Sequence, residues 1–512
     1  MSRFYLTTAI DYSNGEPHIG HAYEKIGADA IARYRRLCGD DVHFLIGMDE
    51  HGQKVAQAAA QRGLEPQQQV DEVAKGFEVM WKRLGISHDQ FMRTTDEAHK
   101  SGVRALIKRI FDSNPDDFYE RSYKGHYCVG CESFKQDAEI VDGKCVIHPT
   151  RALEWVEERN WFFRLSKYQP FLKRLLTDRP DFIQPESRRN EMLALIDQGL
   201  EDISASRSRF AWGVPFPAPL STGEMQTTYV WFDALPNYLT ATGYPKAGYK
   251  DRWPAQLHVI GKDITRFHTI IWPAMLQSAE LPLPEHVWSH GFVLFSGERF
   301  SKSAGSRVEL GEAVERYGAE ALRYFLLREV PFDTDGNFSW ERFDEIYNAE
   351  LANSWGNLVS RAIAMVEKYC DATVPPSPPA NLDRSDAVDV AGYRAALDGS
   401  RGYLLNEGLK RVMACVSRGN EFVQVSQPWA LSKSPELREQ LDNVLGTLIR
   451  ALARQCVLLH PFMPGKAQDA WDQLGGPGRV ESQRLDGIAN LNPSGWRVKK
   501  GASLFPKPAT TP

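Results

Sequence analysis

The sequence predicts an α/β protein in which one parallel sheet is interrupted by an insertion and followed by an all-helical part. Three observations lead there. Strand-like and helix-like segments alternate through residues 4–61. That alternation breaks between about 116 and 225 before sheet-like sequence returns. Beyond about 345 the apolar spacing is helical almost throughout. Strand, helix, strand, helix is the pattern of a parallel sheet with crossover helices.

Element by element, Phe4-Tyr5-Leu6-Thr7-Thr8-Ala9 is short and rich in β-formers, a buried strand. The turn Asp11-Tyr12-Ser13-Asn14-Gly15-Glu16-Pro17 leads into a helix over 18–38, where Ile19, Tyr23, Ile26, Ala30, Tyr34 and Leu37 recur at helical spacing. Val42-His43-Phe44-Leu45-Ile46-Gly47 is a second strand and 53–61 a second helix. Paired cysteines, aromatic stretches and charged helices fill the insertion. Thr228-Tyr229-Val230-Trp231-Phe232 and Gln256-Leu257-His258-Val259-Ile260-Gly261 resume the sheet. The helical part extends to about Leu474 and is broken by Thr373-Val374-Pro375-Pro376-Ser377-Pro378-Pro379-Ala380, a stiff connection.

The chain has 512 residues, 42% hydrophobic and 25% charged, which excludes a disordered or fibrous protein and implies several domains. A net charge of -5 excludes a protein that simply coats nucleic acid, so any such contact must use local patches. No apolar run is long enough to span a bilayer, and the first residues lack the regions of a signal peptide. Seven cysteines make no disulfide framework. A cytoplasmic location without membrane attachment is expected.

Pro17-His18-Ile19-Gly20-His21 falls where a strand turns into a helix. Free N–H groups and the positive dipole end suit a polyphosphate there. Histidines three apart share a face, and Gly20 leaves room for a flat base. The competing reading is a helix that merely begins with two satisfied histidines. Far along the chain, Gly297-Glu298-Arg299-Phe300-Ser301-Lys302-Ser303-Ala304-Gly305 places a lysine among small hydroxyl residues, suited to close over a triphosphate. By itself it reads better as an exposed loop with ordinary surface charges. Cys128-Val129-Gly130-Cys131 and Cys145-Val146-Ile147-His148 have two-residue gaps, with thirteen residues between the pairs. Three thiolates and an imidazole complete tetrahedral zinc, and four protein ligands make the metal structural, one Zn2+ per chain. Ordinary free thiols are the alternative. Cys38, Cys370, Cys415 and Cys456 read as buried hydrophobes.

The two loop motifs resemble the H-I-G-H and K-M-S-K-S signatures of class I aminoacyl-tRNA synthetases. The words around them resemble the methionyl-tRNA synthetase family: Ala9-Ile10-Asp11-Tyr12, Gly47-Met48-Asp49-Glu50-His51-Gly52, Tyr229-Val230-Trp231-Phe232-Asp233-Ala234, Ile260-Gly261-Lys262-Asp263-Ile264 and Asn348-Ala349-Glu350-Leu351. They occur in order over nearly the whole chain. One departure stands out: Arg299-Phe300 replaces the family's Lys-Met, with Lys302 kept.

The resemblance implies a Rossmann-type catalytic domain split by a zinc-knuckle connective insertion, then a helix-bundle anticodon-binding domain. The divisions expected are 1–115 and 226–300 for the two catalytic halves, 116–225 for the insertion, 301–350 for the signature-loop and stem-contact region, and 351–512 for the bundle. It implies an aminoacyl-tRNA ligase that activates L-methionine with ATP and Mg2+ and loads tRNA(Met). His18, His21 and Lys302 would be catalytic, with Gly20, His290 and Gly291 also at ATP. Ala9, Ile10, Tyr12, Trp231, Ala234, Leu235, Tyr238, Ile264 and His268 would form the methionine pocket. Asp49 would pair with the ammonium, and Arg207 would support that region. Leu235 stands where some members have Pro. Asn357, Arg361 and Trp429 correspond to positions that read the anticodon, and Cys128, Cys131, Cys145 and His148 to a one-knuckle zinc site. Two other readings compete: a catalytically silent tRNA-binding paralogue, and a class I synthetase for another amino acid. The insertion is too short for the editing domain that isoleucine, valine or leucine enzymes need. The family's appended C-terminal dimerisation module is not apparent, so a monomer is expected.

Overall fold

The computed structural model describes residues 2–128, 133–135, 139–146, 152–208, 211–295, 298–299, 309–400 and 402–506. Seven strands make its main sheet: β1 (Arg3–Thr8), β2 (Asp11–Tyr12), β3 (Asp41–Asp49), β4 (Gln90–Arg93), β5 (Ile183–Gln184), β6 (Leu257–Gly261) and β7 (His286–His290). Their order is β5-β7-β6-β1-β3-β2, with β4 also on β3. Every pairing is parallel. Leu6 in β1 lies between Phe44 and Leu257, and these residues are fully buried, as in a parallel sheet covered on both faces. From β1 the sheet grows toward β3 in the first half of the chain and toward β6 and β7 in the second. The direction reverses at β1, which opens a crevice beyond the carboxyl ends of β1 and β6.

Helix α1 (Ile19–Cys38) buries the whole predicted stripe, and Gly39 ends it at φ 95°, a conformation that favours glycine. Helix α2 (Glu97–Ser113) packs on the other face of the sheet. In the insertion, Phe118–Cys128 pairs antiparallel with Glu154–Phe163, and Ser133–Phe134 and Ile203–Ser204 flank them. The edge strand β5 comes from within the 116–225 stretch but belongs to the main sheet.

One expected element differs. Thr228-Tyr229-Val230-Trp231-Phe232 does not continue the sheet. Its middle and end form helix α3 (Val230–Ala234), followed by helix α4 (Asn237–Thr240). The Tyr229 carbonyl accepts from Phe232 and Asp233 N–H groups at 2.8 and 3.1 Å, and buried side-chain bonds hold Asp233 (below). Strand propensity yields to that tertiary context.

From Leu310 the described chain is mainly helical, and the proline-rich connection separates the helices Asn357–Tyr369 and Asn381–Leu397. The latter packs on Leu405–Ser426 and Arg438–Leu459 through paired charges: Arg418 with Asp389 at 2.7 Å, Arg450 with Asp383 at 2.8 Å, Arg454 with Asp386 at 2.9 Å. Burial raises the Asp383 carboxyl, but the bonds from Arg450 and its neighbours outweigh this and hold it at about 2. The two parts meet at Arg323, which is fully buried. It lies 2.6 Å from Asp29 of α1 and donates to the Phe462 carbonyl at 2.8 Å. Among the described residues no helix is long and apolar enough to cross a membrane.

Candidate active site

A cavity of about 420 Å3 occupies the crevice beyond β1 and β6. Four segments line it: Ala9, Ile10, Asp11 and Tyr12 after β1; His18, Gly20, His21, Tyr23 and Glu24 at the start of α1; Gly261, Asp263 and Ile264 at and beyond the end of β6; and His290, Gly291, Phe292 and Val293 at and beyond the end of β7. The sheet thereby brings nine of the predicted positions to one space: Ala9, Ile10, Tyr12, His18, Gly20, His21, Ile264, His290 and Gly291.

His18 is the N-cap of α1, and its Nδ1 accepts the Gly20 N–H at 3.1 Å. The His18 N–H donates to His21 Nδ1 at 3.3 Å, and the two rings stack with centroids 3.6 Å apart. The first helical turn and its imidazoles thus form one preset unit at the positive end of the helix dipole. A Cβ on Gly20 would come within 3.1 Å of the His18 ring, so glycine keeps that cap unstrained as well as the cavity open. Gly291 has a different reason: its Cβ would sit 2.1 Å from the Thr334 carbonyl oxygen.

Under the cavity lies an ionic cluster that sequence reasoning missed. Lys25 is fully buried, and its Nζ donates to Asp11 at 2.9 Å, Glu24 at 2.8 Å and the Ala9 carbonyl at 2.9 Å. His290 Nε2 lies 3.1 Å from the other oxygen of Glu24. Burial pushes the Asp11 carboxyl up to about 7 despite the Lys25 ammonium. Burial also raises Glu24, but Lys25 and His290 outweigh it and hold Glu24 below its ordinary value. The only signal was a charged pair, Glu24-Lys25, on the apolar face of α1.

The remaining pocket positions do not line this cavity. His268 donates from Nδ1 to the Ile264 carbonyl at 3.1 Å, and its Nε2 accepts from the Tyr238 hydroxyl at 2.6 Å. Burial lowers His268 to about 4, so it is the neutral form that these bonds require. Trp231 stacks on Phe267 at 3.7 Å with the rings nearly parallel. Ala234 and Leu235 are buried beside them. Asp49, nearly buried, sits opposite Tyr12 in the β2–β3 register. Arg207 places its guanidinium over the Tyr229 ring at 4.2 Å.

Lys302 and Phe300 lie outside the described residues. The two-residue strand Glu298–Arg299 that precedes them pairs with Val293–Phe295, whose first residue lines the cavity. Of the four cysteine-and-histidine positions, Cys131 and His148 also lie outside. Cys128 ends one strand of the insertion and Cys145 ends a separate hairpin; both are 1% exposed. Buried thiols are a donor type that a structural zinc takes. In the helical part, Asn357 and Arg361 stand one turn apart on one helix, and Trp429 is 39% exposed on the short helix Pro428–Leu431.

The chain matches a family model described as tRNA synthetases class I (M) over residues 4–152 and 136–363. It is 42% identical over 510 residues to the methionine–tRNA ligase of Caldanaerobacter subterraneus subsp. tengcongensis, covering 98% of this chain and 78% of that one. A structure of Mycobacterium tuberculosis methionyl-tRNA synthetase in complex with methionyl-adenylate is similar with a TM-score of 0.92 and 38% identity, covering 99% of this chain and all of the other. The apo form of that synthetase is similar with a TM-score of 0.85 and 35% identity, over 100% and 99% of the two chains. With the signature turn, the doubly grown parallel sheet and these likenesses in agreement, the chain belongs to the class I (M) tRNA synthetases.

Proposed function

We propose that this chain is a methionine–tRNA ligase, an enzyme that joins L-methionine to tRNA(Met) in two steps with ATP. The methionine carboxylate attacks the α-phosphate, forming a P–O bond as the bond to pyrophosphate breaks. A hydroxyl of the tRNA's terminal ribose then attacks the methionyl carbonyl and AMP leaves. The observation that carries this reading is the single cavity, in a chain of this family, that the His18–His21 turn shares with Ile10, Tyr12 and Ile264.

His18 and His21 hold phosphate oxygens at the helix N-terminus, and Lys302 meets the charge that develops on the leaving pyrophosphate. Catalysis is positioning plus charge stabilisation, with no covalent nucleophile. Mg2+ bound with ATP supplies neutralisation of the triphosphate. His290 and Gly291 border the nucleoside, and Asp49 faces the methionine ammonium. Tyr238 and His268 offer the thioether a polarizable wall with weak hydrogen-bonding capacity. Cys128, Cys131, Cys145 and His148 would hold one structural zinc. Asn357, Arg361 and Trp429 read the anticodon by edge contacts and stacking on unpaired bases.

Methionine-dependent ATP–pyrophosphate exchange, measured across the amino acids, tests the reading. Methionine alone is expected to support strong exchange, and Lys302→Ala is expected to lose most of it. Strong exchange with a different amino acid overturns the substrate assignment, and tRNA binding without exchange overturns the enzymatic one.

A further inference from the structure

A second buried polar network lies away from the phosphate turn, on residues that the reading above gives no role. Asp233 of α3 is 1% exposed and sits between two imidazoles, each 2% exposed. Its Oδ2 lies 2.6 Å from His51 Nδ1 and its Oδ1 lies 2.9 Å from His99 Nε2. Burial raises this carboxyl, yet the two histidines outweigh it and hold it at about 2, so Asp233 is ionised and accepts from both rings. His99 on α2 also reaches Thr240 Oγ1 of α4 at 2.8 Å. One side chain of α2 therefore bonds to both short helices, α3 and α4.

Those two helices have five and four residues. Isolated helices this short are unstable and take their geometry from tertiary contacts. They carry Trp231, Ala234 and Tyr238, and they flank Leu235. At the other end of the network, His51 follows Asp49 and Glu50 directly. Glu50 is anchored as well: it lies 2.6 Å from Arg93, and its carbonyl accepts the Trp212 Nε1–H at 2.6 Å. The strand end that presents Asp49 is thus fixed to the same carboxylate as the helices that present the aromatic wall.

We infer that Asp233, clamped between His51 and His99, is a positioning residue that sets the ammonium-binding and side-chain-binding walls of the methionine site at a fixed separation. The inference rests on the methionine reading above. It assigns Asp233 no contact with substrate. An ionised carboxylate accepts two N–H groups, whereas an amide of the same shape offers one acceptor oxygen and turns an N–H toward the other ring.

The test compares wild type with Asp233→Asn, His99→Gln and His99→Leu by pyrophosphate exchange, with separate KM values for methionine and ATP and thermal unfolding of each protein. Asp233→Asn is expected to raise the methionine KM about tenfold while the ATP KM stays within about twofold. His99→Gln, whose amide places an N–H near the Nε2 position, is expected to keep most of the methionine affinity that His99→Leu loses. The His99 pair decides the matter if Asp233→Asn does not fold. An unchanged methionine KM in the variants, equal rises for both substrates, or no difference between the two His99 variants overturns the inference and leaves the methionine reading intact. A wild type that exchanges strongly with another amino acid overturns the methionine reading and this inference together.

Discussion

The two parts of the proposed site are built by different means. The side proposed for the triphosphate is one helix turn: His18 caps α1, His21 stacks on it, and Gly20 fits between them, all within four consecutive positions. The side proposed for methionine is assembled from the end of β1, the end of β3, two short helices and the segment Lys262–Ile271. Local construction needs only capping chemistry and a helix start. Distributed construction needs the sheet to be complete before any of its residues meet. On the proposed reading, charge chemistry falls to the local element, and selection of the side chain falls to separate segments that the Asp233 network ties together.

The sharpest break of this contrast is expected at the local side. His21→Ala removes the proposed phosphate contact and an acceptor for the His18 N–H, so the maximal exchange rate is expected to fall ~100-fold, the scale for losing one preorganised stabilising group. The methionine KM is expected to stay within about twofold in steady-state exchange assays. A large rise in methionine KM there would mean that the two sides are not separate.

Trp429 belongs to neither side. Trp429→Ala is expected to leave exchange unchanged and to lower kcat/KM for tRNA charging by roughly 30-fold, from base–aromatic stacking of about 1–3 kcal/mol. Parallel exchange and charging assays on one preparation would show it. A smaller effect is expected from the distributed side. Tyr238→Phe leaves buried His268 Nε2 without its donor, and a rise of about tenfold in methionine KM follows from a loss of roughly 1–1.5 kcal/mol. The ATP KM is the internal control.

The same contrast explains what could be read before any coordinates. The β1–turn–α1 unit was legible because its signals are local: β-formers, then a turn, then histidines at helical spacing. Strands β1, β3 and β6 and the helical part followed from periodicity, and the family from short ordered words. Helix α3 carries the β-forming composition of Tyr229-Val230-Trp231-Phe232 and so looks like a strand in sequence; the buried bonds of Asp233 to residues 134 and 182 positions away favour the helix. The Asp11–Lys25–Glu24 cluster was invisible for the same reason. A lysine on an apolar helix face has no meaning until Asp11 and the Ala9 carbonyl fold over it.

The gentlest way to sharpen the comparison is pH, because the distributed side contains His268, buried and neutral, with its value lowered from 6.5 to about 4. Well above pH 6.5 neither folded nor unfolded chain protonates this group, so it does not affect stability there. Below 6.5 the unfolded chain takes up the proton first, and folding stability falls as pH drops toward 4. Between pH 7 and pH 6 the loss from this one residue is roughly 0.7 kcal/mol by linkage. His258, also buried and lowered, adds to the slope in the same direction, so the measurement must be a difference between proteins. His268→Gln keeps a side chain able to hydrogen-bond but removes the titration. Its stability by denaturant unfolding is expected to change less between pH 7 and pH 6 than that of the wild type. An equal change in both proteins would place the acid sensitivity elsewhere and leave the Tyr238–His268–Ile264 link as packing alone.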